Sequence, residues 1–314
     1  MPMNGNINLL LPSPLQELKD PLFTEKKIKV FLKRDDLIHP SISGNKWRKL
    51  KYNLIGLKKD RILTFGGAFS NHIAATAAIC YDLKLRSIGI IRGEETESLN
   101  DTLRIAKDLG MHLAFISREE YRNKDADEYQ KSLMLKYNDP YIIPEGGANA
   151  KGLQGCIEMI DEIDLDFDVI VSAVGTGATL AGICLGLNDN QKAIGIVVLK
   201  GAEYLEKEIS DFINNYDSKN KPSGSIKKFE LKHDYHFGGY AKMNQTLIDF
   251  MKHFYDQHKI KTDPVYSGKS LFALYDMIRK DQFNPGSKII YYHCGGLQGI
   301  KGMENRYKVK FYSN

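Results

Sequence analysis

Short runs of β-branched and aliphatic residues alternate along the chain with longer stretches whose apolar positions recur every three to four residues. The short runs predict strands at Lys27–Leu32, Arg61–Phe65, Arg86–Ile91, His112–Ile116, Val169–Ala173, Ala193–Leu199 and Lys288–His293. Between them the longer period predicts helices over Ser70–Leu83, Asn100–Leu109, Gly152–Ile163, Thr179–Leu187 and Lys242–His258. Strands apolar on both faces and separated by helices imply parallel sheets covered on both sides, an α/β fold. The turn-rich stretch Pro144-Glu145-Gly146-Gly147-Ala148-Asn149 marks a boundary. Residues 48–147 are expected to form a small α/β lobe, and residues 1–47 with 148–314 a larger one. Asn214 to Ser225 is polar and glycine-bearing, as a surface loop would be.

Composition narrows what such a fold does. At 314 residues the chain suits two packed lobes better than one core, and 42% hydrophobic residues argue against broad disorder. The net charge of +5 is small, and basic clusters such as Lys26-Lys27-Lys29 lack interleaved aromatics, so no nucleic-acid groove is expected. No apolar run reaches the length of a membrane span. The apolar patch Ile7 to Leu11 lacks the basic flank and cleavage site of a signal peptide. Cys80, Cys156, Cys184 and Cys294 are far apart, which points to reduced thiols and a cytoplasmic location. The eight histidines show no metal-ligand spacing, and no metal is expected.

Four segments carry candidate chemistry, each with a plainer alternative. In Gly44-Asn45-Lys46-Trp47-Arg48-Lys49-Leu50 a turn runs into an amphipathic helix; this is either a helix start with surface lysines, or a junction that points the Lys46 amine into a cleft. In Gly66-Gly67-Ala68-Phe69-Ser70-Asn71-His72 a strand gives way to a helix, so Ser70 is an N-cap or part of an anion site. Val174-Gly175-Thr176-Gly177-Ala178-Thr179 is a tight βα turn or a phosphate cup; it lacks the Gly-Lys-Ser/Thr of a nucleotide loop. Pro264-Val265-Tyr266-Ser267 and His293-Cys294-Gly295-Gly296 lie late in the chain, the latter at a strand end where open parallel sheets bind ligands.

A lysine, a phosphate cup and polar groups at strand ends are what pyridoxal phosphate (PLP) chemistry needs. In this order the motifs resemble the D-cysteine desulfhydrase and 1-aminocyclopropane-1-carboxylate (ACC) deaminase group of type II PLP enzymes, over about Leu15 to Gly296. The resemblance implies the two-lobed, tryptophan synthase β-like PLP fold. It makes Lys46 the Schiff-base lysine, through the Gly-Asn-Lys-x-Arg-Lys-Leu motif. Through Ser70-Asn71-His72 it implies that Asn71 bonds the cofactor's phenolic oxygen and that Ser70 holds the substrate carboxylate, with His72 beside them. Gly175, Thr176, Gly177, Ala178 and Thr179 match the glycine loop, and Tyr240 and Tyr266 match two active-site tyrosines. A homodimer acting on a small amino acid is implied as well.

Two departures set the expected substrate. ACC deaminases are similar but carry Glu where this chain has Ser267, and Leu where it has Cys294. Desulfhydrases have a small hydroxyl residue at both places, and related serine dehydratases place a cysteine opposite the pyridine nitrogen. Trp47 replaces the small residue common after the lysine, which leaves substrate shape open. A neutral serine or thiol beside the ring makes a milder electron sink, suited to α-proton removal by Lys46 and loss of a β-leaving group. The expected activity is therefore D-cysteine desulfhydration to pyruvate, ammonia and sulfide. ACC deamination, another amino-acid dehydratase or racemase, and a non-catalytic PLP-binding protein are the alternatives.

Overall fold

Two sheets organise the chain, and the way they are threaded decides where its functional groups meet. The computed structural model describes residues 7–42, 44–95, 98–220 and 229–312. In chain order the elements are β1 (Leu15–Leu18), α1 (Pro21–Glu25), β2 (Lys29–Lys33), α2 (Asn45–Leu54), β3 (Arg61–Gly67), α3 (Asn71–Asp82), β4 (Arg86–Arg92), α4 (Asp101–Asp108), β5 (His112–Ile116), α5 (Arg118–Tyr121), α6 (Asp127–Lys136) and β6 (Tyr141–Ile143). They continue with α7 (Ala150–Asp161), β7 (Val169–Val174), α8 (Ala178–Gly186), β8 (Lys192–Val197), α9 (Leu205–Asn220), β9 (Phe229–Lys232), α10 (Gln245–His258), α11 (Ser267–Arg279), β10 (Lys288–Tyr292) and α12 (Ile300–Tyr307).

The smaller sheet runs β5-β4-β3-β6 and is parallel throughout. The larger runs β1-β2-β10-β7-β8-β9, parallel except where β1 pairs with β2. Both faces of the larger sheet are covered, as its unbroken apolar strands require. Ile170, Val197 and Ile290 pack with Leu180, Ile183 and Ile209 on one face. Val30, Leu32, Val171 and Tyr291 pack with Phe254, Leu271 and Leu274 on the other. Trp47 and Leu50 of α2 bury against Ile62 and Ile79 of the smaller sheet's layer.

Every strand and helix expected from periodicity is present, His112–Ile116 with the expected bounds and the others with shifted ends; the first strand, for example, starts at Lys29 rather than Lys27. Asn214 to Ser225 departs from expectation. Residues through Asn220 continue α9, whose apolar positions Leu205, Ile209 and Ile213 are buried, so burial of that stripe outweighs the polar composition. Residues 221–228 of that stretch lie outside the described residues. Among the described residues no helix is long and apolar enough to cross a membrane.

Candidate active site

The carboxyl ends of β3, β7 and β10 and the heads of α2, α3 and α8 surround one cavity of about 850 Å³. Lys46, Ser70, Asn71, His72, Gly175, Thr176, Gly177, Thr179, Tyr240, Tyr266 and Cys294 all line it, although they are drawn from segments far apart in sequence. Ala178 and Ser267 do not.

Lys46 is the second residue of α2, and the start of that helix is tightly specified. Gly44 takes φ +67°, and a Cβ there would overlap the Cys294 carbonyl group, so the position demands glycine. The Gly44 amide donates to the Asp35 carbonyl at 2.8 Å, and Asn45 Nδ2 donates to Thr179 Oγ1 at 2.9 Å. On the other side of the helix, the buried Arg48 guanidinium donates to Asp35 Oδ2 at 3.0 Å, to Asp35 Oδ1 at 2.9 Å and to both oxygens of Glu162. Lys33 and Tyr292 complete this cluster, at 2.8 Å from Glu162 and 2.7 Å from Asp35. Lys46 itself is half-buried, faces the cavity and has no hydrogen bond to the described residues. Desolvation holds its amine below the ordinary lysine value, although Cys294, Cys156, Asp263 and Glu145 pull the other way.

Sequence reasoning missed Lys49. It is buried against the same cavity, where desolvation and then the charge of Lys46 bring its pKa down to about 7. The signal was available: three positions after Lys46 is the same face of a helix. Lys51, two positions further on, pairs instead with Glu158 at 2.5 Å outside the cavity.

At the head of α3, Ser70 is the N-cap and its Oγ accepts from the Ile73 amide at 3.3 Å. Asn71 Oδ1 accepts from Gln298 Nε2 at 2.7 Å, which fixes the orientation of its side chain. His72 is 1% exposed, and desolvation followed by the charges of Lys46 and Lys49 keeps it neutral. Its tautomer follows from Thr64, whose single hydroxyl proton goes to the Ile143 carbonyl at 2.8 Å. His72 Nε2, 2.9 Å from that hydroxyl oxygen, is therefore the donor. His72 Nδ1 is then a buried acceptor without a partner.

The far wall holds the tyrosines and Cys294. The rings of Tyr240 and Tyr266 meet edge to face at 6.2 Å, and Tyr240 donates to the Phe69 carbonyl at 3.3 Å. Burial pushes the Tyr240 hydroxyl up to about 12 and raises that of Tyr266 further, so both are protonated near neutrality. Burial, with Asp263, likewise pushes the Cys294 thiol to about 12. Ser267 lies behind this wall, fully buried. Its Oγ donates to Asp263 Oδ2 at 2.6 Å and accepts from the Asp263 amide at 2.7 Å. Its hydroxyl proton is committed to Asp263 and the residue does not line the cavity, which corrects the expectation of a neutral serine beside the ring and the substrate. Asp263 is the buried carboxylate of this region and also accepts the amides of Val265, Tyr266 and Ser267 at 2.8–2.9 Å.

The glycine loop suits a phosphate. Gly177 caps α8 at φ +78°, and a Cβ there would stand 2.6 Å from Ile209. A Cβ at Gly175 would stand 3.2 Å from the Tyr266 ring, crowding the cavity wall. The first amides of α8 lack intrahelical partners, and those of Ala178 and Thr179 donate to no other group among the described residues. Ala178, buried beneath the loop, offers its backbone and not its side chain. An unpartnered lysine amine and free helix-end amides together fit a phosphate-bearing aldehyde cofactor such as PLP.

Comparison with known proteins agrees. Residues 8–295 match the model of the family described as pyridoxal-phosphate dependent enzyme. A protein of Pyrococcus horikoshii named "Putative 1-aminocyclopropane-1-carboxylate deaminase" is 32% identical over 91% of this chain and 90% of its own. The Arabidopsis thaliana "Bifunctional D-cysteine desulfhydrase/1-aminocyclopropane-1-carboxylate deaminase, mitochondrial" is 31% identical over 92% of this chain and 77% of its own. The crystal structure of an ACC deaminase homologue superposes with a TM-score of 0.82 at 31% identity, covering 93% of this chain and 91% of that one. The chain belongs to the pyridoxal-phosphate dependent enzymes, among relatives of the ACC deaminases and D-cysteine desulfhydrases.

Proposed function

We propose that this chain deaminates small α-amino acids in the cavity, with ACC as its leading substrate and D-cysteine as the second. The observation that carries the reading is Lys46, an unpartnered amine held below its ordinary pKa where α2, α3 and α8 converge. In this reading Lys46 holds the cofactor's aldehyde, and the Gly175–Thr179 loop with the α8 amides holds its phosphate. Asn71, fixed by Gln298, faces the phenolic oxygen. Ser70 and the free amides at the head of α3 receive the substrate carboxylate. The bound cofactor supplies a sink for the electron pair at the substrate's Cα. Lys46 accepts or returns a proton at Nζ, a role that its lowered pKa favours. Tyr240 and Tyr266, kept protonated by burial, place hydroxyls over the site, and the Tyr240 proton must leave the Phe69 carbonyl before it serves as a donor.

Neutral groups at positions 267 and 294 are what favour D-cysteine from the sequence. Ser267 is taken up by Asp263, and the Asp263 carboxylate acts on Cys294, Tyr266 and Lys46, so this wall carries a charge after all. Relatives above 30% identity carry the ACC deaminase name, and the plant relative carries both names. D-cysteine remains the second reading because the small thiol of Cys294 lines the cavity. Product analysis of the purified protein decides: α-ketobutyrate and ammonia from ACC, against pyruvate and sulfide from D-cysteine. A higher kcat/KM for D-cysteine reverses the order, and no turnover of either refutes the proposal. The reading includes a homodimer in a reducing cytoplasm, in keeping with four buried free thiols; sedimentation tests the former.

A further inference from the structure

Arg92 stands out among the cavity's charged groups because the proposed chemistry does not use it. It ends β4 beside Gly67, its register partner at the end of β3. The guanidinium lies alongside Gly67, its Nη2 3.7 Å from where a Cβ would be. The Ser70 amide folds back onto the Gly67 carbonyl at 3.0 Å, so the turn that leads into α3 sits directly beside Arg92. The guanidinium packs over the Tyr121 ring at 5.6 Å and has no ion pair or hydrogen bond among the described residues. The acids at this side of the mouth are already matched: Lys124 lies 3.0 Å from Asp125 and 3.7 Å from Glu145. Across the seat, Tyr240 feels the Arg92 charge and bonds the Phe69 carbonyl, one residue before Ser70.

We propose that Arg92 is a second anchor for the substrate carboxylate and gives the site its preference for free amino acids over carboxyl-blocked ones. This rests on the amino-acid reading above. The free amides at the head of α3 and the Arg92 fork then both donate toward one carboxylate. A planar guanidinium grips a carboxylate through two parallel bonds, which lysine cannot reproduce.

The test uses the holoenzyme of wild type, Arg92→Gln and Arg92→Lys, with Arg118→Gln as an exposed control of equal charge change. Steady-state kinetics on whichever substrate the wild type turns over is paired with inhibition by propionate and by propionamide, and with PLP dissociation constants. Arg92→Gln is expected to raise KM by about tenfold or more while kcat falls less than about threefold, and to erase the preference for propionate over propionamide. Arg92→Lys should fall between, and the control should match wild type. PLP affinity should not change. An unaltered KM and propionate preference in Arg92→Gln overturns the inference, as does a weakened PLP affinity, which would assign Arg92 to the cofactor. If wild type turns over neither ACC nor D-cysteine, the functional proposal fails. The propionate and propionamide comparison still decides the role of Arg92.

Discussion

Replacing Arg48 with methionine keeps the aliphatic stem and removes the charge that binds α2 to its surroundings. The guanidinium makes four hydrogen bonds, two to Asp35 and two to Glu162, in a site where Asp35 is fully buried. After the change Glu162 keeps Lys33 at 2.8 Å, but Asp35 keeps only two neutral donors, Ser13 Oγ at 2.5 Å and Tyr292 at 2.7 Å. Removing one partner of such a pair costs roughly 3–5 kcal/mol, because the remaining charge is buried unpaired. The penalty depends on pH in a defined direction. Burial pushes the Glu162 carboxyl up, but Arg48 and Lys33 outweigh burial and hold it at about 2, below its ordinary 4.5. Its stabilising contribution is complete above 4.5 and is lost as pH falls toward about 2. In the variant Glu162 loses the Arg48 share of that support, so the deficit relative to wild type should narrow through the same acid range. Urea unfolding of Arg48→Met and wild type, at neutral pH and at two points in that range, measures both quantities. A neutral-pH deficit under about 1 kcal/mol, or one that does not shrink with acid, refutes the reasoning.

Lys46→Ala should remove at least the ~10²–10⁴-fold carried by one general base, with the unfolding midpoint close to wild type; near-normal turnover would displace Lys46 from its role. Gly177→Val should weaken PLP binding strongly in equilibrium dialysis. Position 177 has φ +78°, and the new Cβ meets Ile209 at 2.6 Å, so the loop that presents the α8 amides must shift. Unchanged affinity would place the phosphate elsewhere.

Much of the site was legible because its chemistry sits in contiguous motifs. Gly44 to Leu50, Ser70 to His72 and Gly175 to Thr179 each read as strand-end or helix-start segments, and each reaches the cavity. What stayed hidden depends on packing between distant segments. The role of Asp263 follows from a loop that turns four donors toward one carboxylate, and that loop is also what removes Ser267 from the cavity. Arg92 looks like an ordinary strand-end residue until β3 and β4 align it with Gly67. The short edge strands β1 and β9 escaped notice for a related reason: four residues of mixed polarity carry little periodicity, and only pairing with β2 and β8 makes them strands.

The position of β10 has a consequence for how the molecule assembles as it is synthesised. All strands of the smaller sheet lie between Arg61 and Ile143, so that layer can form as soon as one contiguous stretch has left the ribosome. The larger sheet cannot. Its strand β10, residues Lys288–Tyr292, sits between β2 and β7 and joins two parts of the sheet that do not otherwise pair. Until it inserts, the two strands flanking it expose unpaired backbone edges, and Cys294 cannot meet Gly44 at the head of α2. The nascent chain therefore carries a finished smaller layer beside open strand edges from the emergence of β7 until β10 is made. That interval is the one in which binding by a chaperone, or pairing with a second nascent copy, would most alter the yield of folded protein.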